Sequence, residues 1–500
     1  MRDESELYPD FTSETEAVLD SGFTPELLDK IVSKFAACKT CMEKLYKRYE
    51  ALKNVLPIMT REPRFKEDAD AINNKLNNDF FGEINDFKIG YFAGKPIAYS
   101  YNHSQDSADD TGGDDAIDVT SKALSDFIAL NNMPDIDQEI TKFATVCGYA
   151  GRLLYTDTDG SARTMVVPPY EAILLSTIGD ITQPEAAVRY YKRTSLDGEE
   201  YYIAECYKDN QIITYKGQVG SWEPANSDIE TDVYDMCPLQ GIPNNGELLG
   251  DAEKVTELID AYDRSFSDQS NEVESFSNAY MCFENMKLTD EEMARAQRTG
   301  IIQYYTGTGN ANIHFLTKDV AGELSNKHLD RLEDNIYRFA KTPNLNDESF
   351  GTASGVALKF RLTALETKCG IFQNKVQSAA TYMFRCLSNA FSKRGVTLDP
   401  LEVDLKFSRN FPLDLLSEAQ AAVQAKAAGL PLRVALSLAF PEIDDIDEVM
   451  QEIDAEKDDI PSLDSADETT NVEQVTDDGN TDNGQTAAAT DTGTPDSGTP

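Results

Sequence analysis

Residues 344–360 read NLNDESFGTASGVALKF, and the identity of this stretch decides what kind of fold surrounds it. Gly351, Ser354 and Gly355 stand among acids, with Phe350 before them and Lys359 after. A glycine-rich loop that opens a helix can cradle phosphate, because backbone N–H groups at a helix N-terminus point at the anion. A P-loop, however, follows a strand and needs G-x-x-x-x-G-K-[ST]. Here three residues separate Gly351 from Gly355, Val356 stands where lysine is required, and the preceding pattern is helical. Nucleotide binding is thereby set aside. Ser354 as a nucleophile would need a base and an orienting group. No partner can be identified for it among His103, His314 and His328, and a G-x-S-x-G elbow is absent. Ser354 and Gly355 suit the N-cap region of a helix, and Pro343 ends the helix before them. Residues 343–354 therefore read as a mobile connector between two long helices.

The helix after the connector is the longest pattern in the chain. Leu358, Leu362, Leu365, Cys369, Phe372, Val376, Ala379, Met383 and Leu387 step by three and four over 355–394. Such a helix is on the order of 60 Å long. Its stripe is expected to need several neighbours, or a large assembly, to cover it. The helix before the connector, 321–341, is expected to place Leu324, His328, Leu332, Ile336 and Phe339 on one side, with His328 sitting on that stripe rather than in a ligand cluster.

Upstream, a helix from Gly250 carries Val255, Leu258, Ile259, Tyr262, Phe266, Val273, Phe276 and Tyr280 as one stripe. Asp251 and Glu253 stand near its N-terminus, where the helix dipole favours acids. Between the two helices lies an α/β insert, 281–317. It has a short helix with Thr289 and Glu292 as a capping-box pair, and two strand candidates, GIIQYY and ANIHFL, joined by TGTGN. Residues 151–241 alternate between short β-rich runs (RLLYT, ARTMVV, EAILLS, AAVRYYKR, YYIAECY, QIITYK) and Asp-Gly turns, and read as an antiparallel β module. Helices are expected at 24–53, 71–93, 119–130 and 136–150, and strands at PIAYSY (96–101) and 401–410. Short Ala/Leu-rich helices follow at 414–428, 431–440 and 444–457, and after about Ile460 the composition has little to bury and reads as disordered. The fold class is α+β, with long helices and a β-rich module.

Composition excludes several functions. The chain of 500 residues carries 88 Asp+Glu against 45 Lys+Arg, a net charge of −43. Residues 441–500 hold 19 of those acids and one lysine, and the remainder is still acidic. Such a chain cannot gain DNA affinity by counterion release except through a local basic patch. A surface that nucleic acid passes without sticking remains open. The first residues, MRDESELYPD, lack the basic start and apolar core of a secretion signal. No apolar run approaches the about 18 residues of a membrane span, so the chain is expected to be soluble and cytoplasmic when made, with no membrane partner. The eight cysteines form no regular framework. Cys38 and Cys41 make one C-x-x-C, but no second pair or nearby histidine completes a site, so they read as ordinary helix thiols. No catalytic constellation, metal site or cofactor is expected.

The order of parts, a β-rich module, a long helix, a small α/β insert, a returning helix, a connector and a very long helix, resembles the portal proteins of tailed bacteriophages, in the form typical of siphophages of Gram-positive hosts. The resemblance is carried by NNKLNNDFFGEINDFKIGYFAGKPIAY (73–99), PNNGELLGDAEKVTELIDAYDRSFSDQSNEVESFSNAY (243–280) and NIYRFAKTPNLNDESFGTASGVALKF (335–360), and it covers roughly residues 20–460 in order. It implies a wing in 1–250, stem helices in 251–279 and 318–342, and a clip in 280–317. It further implies a tunnel loop in 343–354, a long wing helix and strand in 355–410 and a helical crown in 411–460, with 461–500 left as an acidic tail. Members of the family assemble as rings, usually of twelve subunits, at one capsid vertex. The partners implied are further copies of the chain, the terminase large subunit, a head-tail adaptor, major capsid and scaffolding proteins, and double-stranded DNA passing non-specifically. The implied location is the virion, after assembly in the host bacterial cytoplasm. On this reading Asn344, Asn346, Asp347, Glu348, Phe350 and Thr352 face DNA, with Lys341 and Lys359 touching phosphate in passing. For each, the competing reading is a solvated residue at a helix end. Lys287, Glu291, Arg295 and Arg298 in the clip would meet the motor or adaptor, or simply form a solvated face. The loop carries Thr352 and Ala353 where relatives often show further Gly or Asn. Two other readings compete: a helical structural or head-tail adaptor protein of a virion, and an enzyme hidden in the β-rich region.

Overall fold

A short left-handed break decides how the N-terminal half is built. The computed structural model describes residues 2–63, 72–101, 113–225, 229–277, 280–284, 289, 291, 312–316, 322–344, 355–410, 415–440, 446 and 449–453. Helices α1 (Thr12–Ser21) and α2 (Pro25–Tyr49) open the chain. α2 starts where the sequence says it should: Pro25 takes the first-turn position, and the Thr24 side chain accepts the Leu27 N–H at 3.3 Å. Its buried face is Leu28, Ile31, Val32, Phe35, Cys38 and Met42, which is helical spacing. Cys38 and Cys41 sit on this helix as free thiols. Burial raises them to about 12 and about 11, despite the nearby Arg2, so they are protonated and inert at neutral pH.

The helix expected over 71–93 is shorter than its pattern. α3 spans Phe80–Ala93, and residues 72–79 are not helical. Asp79 adopts φ +50° and caps α3 through the Gly82 N–H. The residues before it find their hydrogen bonds elsewhere. The N–H groups of Asn74, Leu76 and Asn78 donate to the Asn271, Ser267 and Asp263 side chains at 2.7, 3.0 and 3.0 Å. α3 itself buries Phe80, Phe81, Ile84, Lys88, Ile89, Tyr91 and Phe92.

Strand β1 (Ala98–Tyr101) pairs antiparallel with β13 (Val403–Lys406), so the two strands expected at 96–101 and 401–410 are each other's partner. Helices α4 (Gly113–Leu130) and α5 (Met133–Cys147) follow. α5 stops at Cys147 rather than at residue 150 because Gly148, at φ +99°, turns the chain into β2 (Tyr149–Thr156). The β-rich region is two antiparallel sheets rather than one. β2 is central to a three-stranded sheet with β3 (Ala162–Val167) and β10 (Leu239–Pro243). The second sheet runs β4 (Ala172–Leu175), β5 (Ala186–Thr194), β6 (Glu200–Lys208), β7 (Gln211–Gln218) and β8 (Ser221–Pro224), with β9 (Glu230–Thr231) also on β7. The Asp-Gly turns lie where expected, with Gly160 and Gly198 at φ +82° and +85°.

Helix α6 (Thr256–Ser277) leads to β11 (Tyr280–Glu284), which pairs antiparallel with β12 (Asn312–Leu316). Tyr280 therefore begins a strand and does not extend the helix. β12 matches the expected ANIHFL strand; GIIQYY, and all but Thr289 and Glu291 of the expected short helix, lie outside the described residues. α7 (Gly322–Ala340) returns. Its buried face is Leu329, Leu332, Ile336, Tyr337 and Ala340, while Leu324, His328 and Phe339 are exposed. Of the expected stripe only Leu332 and Ile336 face inward. Leu324 and His328 lie on the same row nearer the start of the helix, where the packed positions have not yet begun; these run from Leu329 onward.

α8 (Gly355–Ser392) is the long helix, and from Leu362 to Leu387 every residue of its expected stripe is buried. The cover comes from this chain. Phe372 meets Phe92 with ring centroids 4.8 Å apart, and Phe384 meets Tyr99 at 6.0 Å. The Tyr382 hydroxyl donates to the carbonyls of Pro184 and Cys237 at 3.2 and 3.1 Å. The stripe is thus covered by several neighbours of its own chain, the first of the two alternatives its length left open. The chain divides into two units, Met1–Ala421 and Ala422–Pro500. α9 (Leu415–Ala427) runs across the division, and the second unit holds α10 (Leu432–Ala439), with Ala435 buried. The expected disordered tail lies outside the described residues.

Candidate functional site at the junction of α6, α7 and α8

The segment PNNGELLGD, 243–251, folds as a locked loop around the end of α5. The Asn244 N–H donates to the Gly148 carbonyl at 2.9 Å, and the Asp251 N–H to the Thr145 carbonyl at 2.8 Å. Asn245 clasps Leu249 at both ends, donating to its carbonyl at 2.7 Å and accepting its N–H at 3.0 Å. Two glycines permit this approach. A Cβ on Gly148 would stand 2.0 Å from the Leu248 carbonyl oxygen, and one on Gly250 would stand 2.3 Å from that of Val146.

The loop delivers Asp251 to a buried cluster. One carboxylate oxygen meets Lys88 Nζ on α3 at 2.8 Å, and the other meets Lys368 Nζ on α8 at 2.9 Å. Lys88 also donates to Asn244 Oδ1 and lies 4.8 Å from the Phe372 ring centroid. Lys368 also donates to the Ala340 carbonyl, at the C-terminus of α7, at 2.9 Å. The side chains of Lys88 and Asp251 are 2% and 4% exposed and that of Lys368 16%, so water competes little for these contacts. Burial alone would raise the Asp251 carboxyl, but the two ammonium groups outweigh it and hold the group below its ordinary range. Lys368 is lowered, chiefly by burial and also by Lys88, against the pull of Asp251.

A second pair stands beside the first. Arg2 donates to Glu253 at 2.8 and 2.9 Å and to the Cys147 carbonyl at 2.7 Å, and Glu253 also accepts the Gly250 N–H. The stretch that opens α6 is therefore tied at once to α3, α5, α7, α8 and the N-terminal residues. A family model described as phage portal protein, SPP1 Gp6-like, matches residues 28–462. The chain belongs to this family. Relatives agree: it is 23% identical over 423 residues to a portal protein of Clostridium phage phiCD119, covering 81% of this chain and 88% of that one. It is 22% identical over 410 residues to the portal protein of Bacillus phage SPP1, covering 78% and 77%. Proteins of this family are virion components, and two of the stretches that carried the resemblance, 243–280 and 335–360, are bridged at this junction by Lys368, which bonds Asp251 of the one and Ala340 of the other.

The residues expected to face DNA divide into those the structure describes and those it does not. Lys341 is exposed, at φ +57°, and its N–H donates to the Arg338 carbonyl at 3.3 Å. Thr342 is buried and donates its N–H to the Tyr337 carbonyl at 3.1 Å. Asn344 is half-buried and donates its amide to Glu333 on α7 at 2.9 Å. Lys359 stands in the first turns of α8. Asn346, Asp347, Glu348, Phe350 and Thr352 lie outside the described residues, as do Lys287, Arg295 and Arg298, while Glu291 is exposed. Among the described residues no group of three His, Cys, Asp or Glu side chains could hold a metal ion, and no helix is long and apolar enough to cross a membrane.

Sequence reasoning placed Asp251 near a helix start but missed Lys88, Asn244 and Lys368. A lysine at position 88 inside an aromatic run, and one at 368 beside the buried Cys369, were the available signals. A long apolar stem with a terminal charge looks like a snorkelling surface residue until its partner is known. The cluster itself offers no nucleophile or free base. What it can do is hold two helix ends, the entry to α6 and the exit of α7, against the bodies of α3 and α8.

Proposed function

We propose that this chain forms the ring-shaped DNA channel at one vertex of a phage capsid, and that it acts without enzymatic chemistry of its own. The observation that carries this reading is an excursion that closes at its base. α6 leaves the junction at Asp251, β11 and β12 pair beyond it, and α7 returns to end at Ala340, which shares Lys368 with Asp251. Gln269 on α6 donates to Asn326 on α7 at 2.6 Å, so the outgoing and returning helices are neighbours. That is the arrangement a stem with a small clip at its tip requires, and it supports the assignment of 251–279 and 318–342 to the stem and 280–317 to the clip.

The 343–354 connector then leads from the returning stem helix into α8 and faces the channel. Lys341, Asn344, Asn346, Asp347, Glu348, Phe350, Thr352 and Lys359 are its candidates for meeting DNA, and Lys287, Glu291, Arg295 and Arg298 those of the clip for meeting the terminase or a head-tail adaptor. The net charge of −43 supports passage rather than capture, since an acidic wall repels phosphate and a basic one would hold it. In this role the ring serves procapsid assembly, DNA packaging, retention and ejection, built in the host cytoplasm with capsid and scaffolding proteins.

Electron microscopy of the full chain at high concentration tests the ring. Closed rings with a central pore are expected, usually of twelve subunits; a population of monomers or dimers alone would overturn the proposal. Deleting 346–352 tests the connector. The expected result is normal rings that package or retain DNA poorly, and loss of folding would show the segment to be structural instead.

A further inference from the structure

The charges at the junction do not balance. Lys88 and Lys368 are both cations, and among the described residues Asp251 is the carboxylate in ion-pair contact with each. A second buried ammonium is costly unless something else neutralises it. That something is the end of α7. The aligned peptides of a helix leave about half a negative charge on its last carbonyls, and those carbonyls have no partner within the helix. Tyr337 and Arg338 give theirs to the N–H groups of Thr342 and Lys341, and Ala340 gives its own to Lys368. Lys368 is therefore held between a carboxylate at the entry to α6 and a carbonyl at the exit of α7, while its own backbone belongs to α8.

We propose that Lys368 is the positioning residue of the α7–α8 connection. Lys88 neutralises Asp251, and Lys368 supplies the additional cation that fixes the exit of the chain from α7 against α8. The two lysines are thus not equivalent. Removing either leaves one lysine paired with Asp251, but only removal of Lys368 frees the Ala340 carbonyl. The consequence for DNA rests on the reading of the connection as channel-facing given above.

The test compares Lys368→Met with Lys88→Met in the full chain, by hydrogen exchange of the amides in 338–344 and by packaging and retention of DNA. Lys368→Met is expected to speed exchange in 338–344 by about tenfold or more, and Lys88→Met to leave those amides at the rate of the unaltered chain. Equal effects of the two substitutions, or no effect of either, would overturn the proposal. Lys368→Arg, which keeps a donor and a charge, should restore slow exchange at least in part; failure to do so counts against it as well. Should either methionine variant not fold, Lys368→Gln against Lys88→Gln is judged by the same criterion. Faster exchange with undisturbed DNA packaging and retention would leave the positioning role standing and remove the channel-facing reading of the connection.

Discussion

Asp263 on α6 accepts hydrogen bonds from both the backbone N–H and the side-chain amide of Asn78, at 3.0 and 2.8 Å. The contact repeats along the helix. Leu76 donates its N–H to Ser267, Asn74 donates its own to Asn271, and the Asn74 amide reaches Glu274 at 2.8 Å. The match is metric. Two residues of extended chain advance about 6.6 Å, and four residues of α-helix advance about 6.0 Å. Alternate N–H groups of 74–78 therefore find successive side chains on one face of α6. Residues 72–78 are half-buried throughout, so polar contacts rather than apolar burial hold the segment there.

Ser267 is the most sensitive point of this zipper, because it is fully buried and accepts the Leu76 N–H. Ser267→Ala leaves that donor without a partner, which costs about 1–3 kcal/mol. Hydrogen exchange should show Leu76 and its neighbours opening faster while the amides of α6 keep their rates. Unchanged exchange at Leu76 would mean that something other than the side chains of α6 holds the segment.

Acid should release the junction in a defined direction. The Asp251 carboxyl is held below its unfolded value of 3.8, so its contribution to stability is fully present above that pH and is lost as pH falls through the folded value. Asp251→Asn removes the contribution at every pH and strands two ammonium groups, a loss of about 3–5 kcal/mol near neutrality. The gap between the unaltered chain and Asp251→Asn, followed by denaturant melts, should therefore narrow as pH drops below about 3.8. A gap that stays constant to pH 2 would show that Asp251 is not the ionised centre of the cluster.

How much of this was legible beforehand depends on distance along the chain. The stripe of α8 from Leu362 to Leu387 was readable because helical spacing is local, but its cover was not, since Phe92 and Tyr99 lie hundreds of residues away. The strands of the β-rich region were readable as runs and turns. Their division into two sheets was not, because β10 pairs with β2 across the whole second sheet. Residues 72–79 misled for the same reason: INNKLNND fits a helix, and its true partners stand on α6. The end of α7 beside Lys341 and Asn344 could be found from the helix breaks there, as a position in the fold and not as a role. The cluster of Lys88, Asp251 and Lys368 could not, because nothing in one sequence says that these three positions touch.

Gly148 separates backbone freedom from close packing. Gly198, in the turn between β5 and β6, has φ +85° and open space where a Cβ would go, so Gly198→Ala should cost about 1–2 kcal/mol, the conformational term alone. Gly148 has φ +99° and would drive a Cβ to 2.0 Å from the Leu248 carbonyl oxygen. Gly148→Ala should exceed about 4 kcal/mol and displace the loop that carries Asp251. Equal melting shifts for the two variants would show that the loop yields freely.

The burial of the α8 stripe within one chain moves the assembly argument to other residues. Phe360 on α8 is 76% exposed, and Phe339 and Leu324 on α7 are 56% and 71% exposed. A ring built from heterologous contacts offers each copy a neighbour that can cover such side chains, and burying one phenylalanine contributes about 1.5–3 kcal/mol. In a closed ring that term recurs at every interface. Phe360→Ser should therefore leave the stability of the isolated subunit within about 0.5 kcal/mol and lower the fraction of rings seen by sedimentation. If the subunit instead melts earlier while rings form as before, Phe360 belongs to the core of its own chain, and the ring contact must be sought elsewhere.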